Sequence, residues 1–298
     1  MRLLAIRLSA LGDVIHAIPA VTLLKTAADV SWIVEAPYAE LVEIVADVTA
    51  IPVRLKKFSF REIGNAWRGV RGFAVAIDFQ GNIKSAAVTR ASGAPVRYGF
   101  HGDAVREKPA SWFYTHRVKV DQSRHVIDWN LELAAALTPN AQLPTPNWDG
   151  FAADPERKLE PFRDRIVLLP GAGRPEKLWP VERFRELVAR YPDAVVGWGP
   201  GERERAEAIG GTLAPPTNLR ELAFLLRAAR VVVGGDTGPL HLAAALGAKC
   251  VGLYGPTDPR RNGPYGQLAS TIDHFRTSRS MQTIEAPEVM MKIDEVLR

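Results

Sequence analysis

The chain opens with an apolar run, Leu3–Leu8, then a glycine-containing turn, then apolar positions at Val14, Ile18, Val21 and Leu24 in helical spacing. This pattern predicts strand, loop, helix. The same signals recur as Val30–Val34 followed by Tyr38–Ala46, and as Ala74–Phe79 followed by Ile83–Ala91, with one more helix predicted over His125–Leu137. Farther along, strands are predicted at Ile166–Leu169, Ala194–Trp198, Val231–Gly234 and Cys250–Tyr254. Helices are predicted at Val181–Arg190, Glu202–Ile209, Leu219–Ala229 and Pro239–Leu246, and the closing segment Pro287–Arg298 has the pattern of a short amphipathic helix. Short apolar strands alternating with helices imply βαβ units, hence an α/β fold with parallel sheets covered on both faces. Between Thr138 and Phe162 five prolines and few periodic apolar positions leave neither strand nor helix plausible, which marks a linker between two Rossmann-like domains.

The length of 298 residues suits two domains, and 47% apolar residues with 24% charged exclude a disordered or fibrous chain. The single cysteine, Cys250, excludes an internal disulfide framework and a cysteine-based zinc cluster, and fits a reducing compartment. Arg7 and Asp13 interrupt the N-terminal apolar pattern before a signal-type region could form, so the expectation is a cytoplasmic protein that does not span a membrane. The net charge of +5 is local rather than global: residues 1–150 hold 17 basic and 14 acidic residues, but Arg54, Lys56, Lys57, Arg61, Arg68 and Arg71 face only Glu62. From Lys84 to Arg124 eight basic residues face three acidic ones. Such runs are either solvated faces or an electrostatic funnel for an anionic partner. No nucleic-acid-binding motif accompanies them, so nucleic acid is not an expected partner.

Three turns that follow strands have suggestive chemistry. In Val233–His241, two glycines let the chain leave the strand sharply, Thr237 suits an N-cap and Pro239 suits the first helical turn. The segment reads equally as a well-capped helix or as a phosphate cradle. In Leu169–Pro180 a small-residue loop ends in Lys177, a point charge where an anion would sit. In Ser9–Asp13, the aspartate is either an N-cap or a general base at the mouth of a ligand site. Neither a Walker A loop nor a dinucleotide-binding G-x-G-x-x-G after the first strand is present, which counts against P-loop NTPases and dehydrogenases. Cys250 and His16 read as packing residues, Trp179 and Trp198 as core or adenine-stacking residues, and His101, His116 and His125 show no ligand spacing.

Six segments in order, RLSALGDVIHAIPA, AIDFQGNIKSA, REKPASWFYTHR, PGAGRPEKLWP, GGDTGPLHLAAALG and YGPTDPRRNGPYG, resemble the bacterial ADP-heptose:lipopolysaccharide heptosyltransferases of glycosyltransferase family 9. Within that family FQGNIKSA and REKPASWFY are most similar to the heptosyltransferase I branch, which adds the first heptose to the Kdo sugar of lipid A. The resemblance implies a GT-B fold, two Rossmann-like domains whose parallel sheets face a central cleft. Residues 1–155 would bind the acceptor, 156–280 the nucleotide sugar, and 281–298 would form a helix packing back on the first domain. It implies an inverting transfer without metal or cofactor, from ADP-heptose to Kdo-lipid A, by an enzyme peripheral to the cytoplasmic face of the inner membrane.

Residue by residue, the resemblance assigns Asp13 as the general base. It assigns Gly171, Ala172, Gly173, Lys177, Glu202, Asp236, Thr237, Gly238, Pro239 and His241 to the donor, and Arg7, Ser9, Gly12, Lys84, Arg106 and Arg117 to the acceptor. Ala172 and Gly173 replace hydroxyl residues found in the family, and Arg7 replaces a lysine, which preserves charge but alters geometry. The alternatives are heptosyltransferase II, a GT-B transferase or epimerase using another nucleotide sugar, and a non-catalytic nucleotide or glycolipid binder.

Overall fold

The computed structural model describes residues 1–54 and 71–298, so Lys56, Lys57, Arg61, Glu62 and Arg68 of the first basic run lie outside the described residues. The chain forms two compact units, Met1–Gly150 and Phe151–Arg298.

The first unit contains strands β1 (Arg2–Ile6), β2 (Asp29–Glu35), β3 (Thr49–Val53), β4 (Val75–Asp78), β5 (Val96–Phe100) and β6 (His116–Val118). They form one sheet in the order β3-β2-β1-β4-β5-β6, with every neighbouring pair parallel. Among the described residues its helices are α1 (Leu11–Lys25), α2 (Ala39–Val45), α3 (Ile83–Ala91) and α4 (Val126–Ala135). The second unit repeats the plan with β7 (Ile166–Leu169), β8 (Val195–Val196), β9 (Thr212–Leu213), β10 (Val231–Gly235), β11 (Cys250–Tyr254) and β12 (Thr271–Asp273), all parallel, in the order β12-β11-β10-β7-β8-β9. Its helices are α5 (Val181–Arg190), α6 (Arg203–Ile209), α7 (Leu219–Arg227), α8 (Gly238–Ala245), α9 (Pro259–Asn262) and α10 (Ala286–Leu297).

Counted from its own first strand, each sheet has the order 3-2-1-4-5-6 of the doubly wound nucleotide-binding fold. The order reverses between the first and fourth strands, β1 and β4 in one unit, β7 and β10 in the other. Chains leaving these two strands turn to opposite sides, so a crevice opens beyond their carboxyl ends. All three turns singled out in the sequence lie there.

The central strands are the continuous apolar runs: all of β7 is buried and so is all of β11. Side chains of Leu4, Ile6, Ile33 and Ala76 build the first core; Leu168, Phe184, Val233, Val251 and Ile293 belong to the second. Helix α1 is apolar around nearly its whole circumference, because residues Val14–Ile18 and Ala20–Leu24 are all buried. Helices α3 and α7 begin with reciprocal capping boxes, Asn82 with Ser85 and Asn218 with Glu221, each stabilising its helix by about 1 kcal/mol. Among the described residues no helix is long and apolar enough to cross a membrane.

The proline-rich connection is tied down at both ends. Asn147 donates its backbone N–H to Val45 at 2.9 Å, whereas the side chain of Arg220 holds the Phe151 carbonyl at 3.0 Å and both Phe151 and Leu159 are fully buried. Helix α10, expected to reach back to the first domain, buries Ala286, Val289 and Ile293 in the second unit's own core. Tyr191, at the C-cap of α5, secures it by donating its hydroxyl to Asp294 at 2.8 Å.

Candidate active site

At the crevice of the first unit, the chain leaves β1 at Arg7 and enters α1 at Leu11. Asp13 is the third residue of the helix, not its cap; Ala10 holds the cap position and makes no side-chain cap bond. The Asp13 carboxylate Oδ1 instead meets Arg7 Nη2 at 2.5 Å, with 36% of the aspartate side chain exposed and only 10% of the arginine's. Arg7 donates its other terminal nitrogen, Nη1, to the Phe79 carbonyl just beyond β4. Arg7, expected among acceptor contacts, thus touches both Asp13 and the neighbouring turn. Ser9 is half-buried in the same β1–α1 turn and Gly12 is buried in the first turn of α1.

The turn after β4 is organised by a residue that sequence reasoning passed over. Asp78, fully buried, accepts the Gln80 and Gly81 amides on Oδ1 at 2.8 and 3.2 Å and the hydroxyls of Ser85 and Tyr114 on Oδ2, each at 2.7 Å. Burial pushes its carboxyl above the ordinary range against the opposing pull of those four donors, and the same burial with the carboxyl alongside raises the Tyr114 phenol. Tyr114 reaches Asp78 because β5 has Gly99 beneath its ring, where a Cβ would collide with the aromatic carbons. Both residues lie within motifs that had signalled the family, AIDFQGNIKSA and REKPASWFYTHR, but only their 36-residue separation in sequence was visible there.

The three remaining acceptor candidates, Lys84 on α3, Arg106 in the loop before the turn Lys108–Phe113, and Arg117 on β6, are all exposed at the surface of the first unit. His16 is buried edge-on to His125 with ring centroids 5.3 Å apart, and Asn130 donates to its carbonyl at 2.9 Å, so it packs as expected.

In the second unit the loop after β7 brings Lys177 to the loop after β10. Lys177 Nζ meets Asp236 Oδ2 at 2.6 Å, and His241 Nε2 meets Oδ1 of the same carboxylate at 3.0 Å. Burial alone would raise the Asp236 carboxyl; the hydrogen bond and charge of His241, with the charge and hydrogen bond of Lys177, hold it well below the usual carboxylate range. The donor candidates Lys177, Asp236 and His241 are thus brought into one contact group. Gly238 and Pro239 open α8, as the sequence pattern predicts. Thr237 occupies the cap position with extended backbone, yet its side chain makes no cap bond and its buried Oγ1 has no hydrogen-bond partner among the described residues. A polar atom buried without a partner is costly, and a ligand oxygen at this helix N-terminus would satisfy it.

Glu202 accepts the Gly199 amide on Oε2 at 2.8 Å and lies so close over Gly171 that a Cβ there would collide with the carboxylate. The glycine is required for that approach, which joins the acidic candidate to the loop Gly171–Ala172–Gly173. Arg205, also unforeseen, clamps both ends of this loop: Nε donates to the Pro170 carbonyl at 2.9 Å and Nη2 to the Trp179 carbonyl. Trp179 is core, 2% exposed, with its indole N–H on the Ile284 carbonyl at 2.9 Å; Trp198 is half-buried and donates to Ala214 at 2.8 Å. Cys250 is core as well, its thiol pushed up to about 12 by burial. Among the described residues no three His, Cys, Asp or Glu side chains converge as a metal-binding group.

Two parallel sheets with the strand order of the nucleotide-binding fold, each with charged residues at the strand-order reversal, define a doubly wound α/β protein. The profile of glycosyltransferase family 9 (heptosyltransferase) matches residues 64–292, and the chain belongs to that family. It is similar to lipopolysaccharide heptosyltransferase 1 of Escherichia coli strain K12, 31% identical over 90% of this chain and 92% of the relative. It is also similar to lipopolysaccharide heptosyltransferase 1 of Pseudomonas aeruginosa, 33% identical over 90% of this chain and 82% of that one. Among solved structures, E. coli heptosyltransferase WaaC with ADP superposes with a TM-score of 0.82 at 28% identity, covering 99% of this chain and all of that one. The chain is a glycosyltransferase with the fold of the GT-B heptosyltransferases.

Proposed function

We propose that this enzyme transfers heptose from ADP-heptose to the Kdo sugar of a lipid A precursor, with inversion at the anomeric carbon and without a metal ion. The observation that carries the reading is the contact group Lys177–Asp236–His241 at the start of α8. Departing ADP leaves with the electron pair of the broken C1–O bond, and its diphosphate gains negative charge. A lysine charge and the first-turn amides of a helix, directed at that point, stabilise the transition state more than the ground state. Asp236 holds Lys177 in place at 2.6 Å; the Thr237 hydroxyl supplies one more polar group for the diphosphate or sugar. Ala172 and Gly173 have no side-chain donors, so their part in holding phosphate falls to backbone amides. Glu202, set against Gly171, suits the ribose hydroxyls.

In the first unit, Asp13 takes the proton of the acceptor hydroxyl as its oxygen attacks C1. Its carboxylate keeps an exposed portion while Arg7 fixes its orientation. The exposed cations Lys84, Arg106 and Arg117 suit the carboxylates and phosphates of an anionic glycolipid. Contact with the inner membrane is supported by Trp112, which stands 74% exposed on the turn Lys108–Phe113 next to exposed Lys108.

The test is ADP release from ADP-heptose with and without a Kdo-bearing lipid A precursor. Acceptor-dependent release is expected, with no response to UDP- or GDP-sugars. Release that needs no acceptor, or none in either case, contradicts the assignment.

A further inference from the structure

We propose that Asp78 is a positioning residue for Asp13, acting through the turn Phe79–Gly81 and the guanidinium of Arg7. The inference rests on the reading of Asp13 as the base. Asp78 bends the chain after β4 by accepting two amides of the turn on a single oxygen, Gln80 at 2.8 Å and Gly81 at 3.2 Å. The turn so formed meets the exit of β1 at three points: the Phe79 amide donates to the Ile6 carbonyl at 3.0 Å, the Phe79 carbonyl accepts Arg7 Nη1, and Gln80 Oε1 accepts the Leu8 amide at 2.8 Å. Arg7 Nη2 then meets Asp13 Oδ1 at 2.5 Å.

The guanidinium has little else to orient it. Among the described residues its buried Nε has no hydrogen-bond partner, and its direction is set by the Phe79 carbonyl at one end and the Asp13 carboxylate at the other. If the turn relaxes, Arg7 loses its fixed end and Asp13 loses the group that aims it. A planar fork transmits this geometry in a way a lysine ammonium would not, since one nitrogen can serve each partner. Positioning errors of about 1 Å at a reacting group cost on the order of a hundredfold in rate.

The role requires an acceptor at Oδ1 and does not require a charge. Asp78→Asn keeps a carbonyl oxygen for the two amides, and the hydroxyls of Ser85 and Tyr114 can rotate to accept from the new NH2 group. Asp78→Ala removes the acceptor altogether.

The experiment measures kcat and the KM for ADP-heptose in the full-length enzyme for Asp78→Ala, Asp78→Asn, Arg7→Gln, Asp13→Asn and the double variant Asp78→Ala/Arg7→Gln, with folded fraction checked by thermal melting. Asp78→Ala is expected to lower kcat about thirtyfold with KM changed less than about twofold, and Asp78→Asn to recover to within about threefold of wild type. The double variant is expected to be no slower than Arg7→Gln alone, because both break one chain of contacts. Should Asp78→Ala fail to fold, Tyr114→Phe replaces it, with a smaller loss of kcat that likewise vanishes in the Arg7→Gln background. Multiplying losses, a fall in kcat accounted for by the unfolded fraction, or no rescue by Asn would overturn the proposal while leaving the base reading intact. Full turnover in Asp13→Asn would overturn both.

Discussion

Asp78 ends β4 and Asp236 follows β10, the fourth strand of each sheet, so each unit places a buried aspartate at the carboxyl end of its fourth strand, the second two residues farther along by register. Their surroundings differ. Asp78 has four neutral donors, two amides and two hydroxyls, and burial raises its carboxyl. Asp236 has Lys177 and His241, and their hydrogen bonds and charge outweigh burial and depress it. In the first unit the cation after the first strand, Arg7, turns to Asp13 instead of to the fourth-strand carboxylate. A carboxylate at the end of the fourth strand thus serves as a scaffold in one unit and as part of an ion-pair site in the other, and the partner residues it meets set the difference.

The largest effect expected from this contrast falls on Lys177. Lys177→Ala is expected to lower kcat by about 10²–10³, the size found when one donor to a developing oxyanion is removed, and to weaken ADP binding in equilibrium titration. No loss in either measurement would remove the second unit's charge group from the mechanism.

Next is Asp236→Asn, which leaves the largely buried Lys177 without its counter-charge and is expected to destabilise the enzyme by about 3 kcal/mol at pH 7 in urea unfolding. Because the folded-state carboxyl is depressed, the stability it contributes is complete above about pH 4, the unfolded value, and is lost as pH falls through the folded value. The penalty of the substitution should therefore shrink when unfolding is repeated near pH 3.5.

Asp78→Asn should behave in the opposite way. A raised carboxyl contributes stability that is complete below about pH 4 and is lost as pH rises through the folded value. The variant is expected within about 1 kcal/mol of wild type at pH 7, with any penalty growing toward pH 4. The same pH trend in both variants would erase the distinction between the two aspartates.

The smallest effect is expected for Arg205→Lys, which keeps a charge but cannot hold the Pro170 and Trp179 carbonyls together as a fork does. The KM for ADP-heptose should rise a few-fold with kcat little changed, and an unchanged KM would show that the loop holds its shape without the clamp.

What could be read in the sequence was whatever rests on local pattern. The strands at sheet centres, β1, β2, β4, β7, β10 and β11, announced themselves as apolar runs because both of their faces are covered. The edge strand β3 did not, since it is largely half-exposed and includes Pro52, which an edge tolerates; nor did two-residue β9 or three-residue β6 and β12. β5 lies inside the sheet but reads Val-Arg-Tyr-Gly-Phe, where Arg97 and Gly99 break the apolar signal. The site was legible as motifs, and Lys177, Asp236 and His241 do meet. The supporting residues were not. Arg205 reaches back 35 residues to Pro170, and Tyr114 meets Asp78 across 36, distances that no periodicity encodes. The Thr237 side chain, expected to cap α8, leaves its hydroxyl without a partner among the described residues, where a ligand oxygen is proposed.

The division of labour between the units is tested most directly by titrating ADP into Asp13→Asn and following heptose transfer from ADP-heptose with the same preparation. The expected result is ADP affinity within about twofold of wild type and transfer reduced by about 10³ or more, the upper range for a general base. Wild-type transfer, or loss of ADP binding on removing a carboxylate from the first unit, would contradict it.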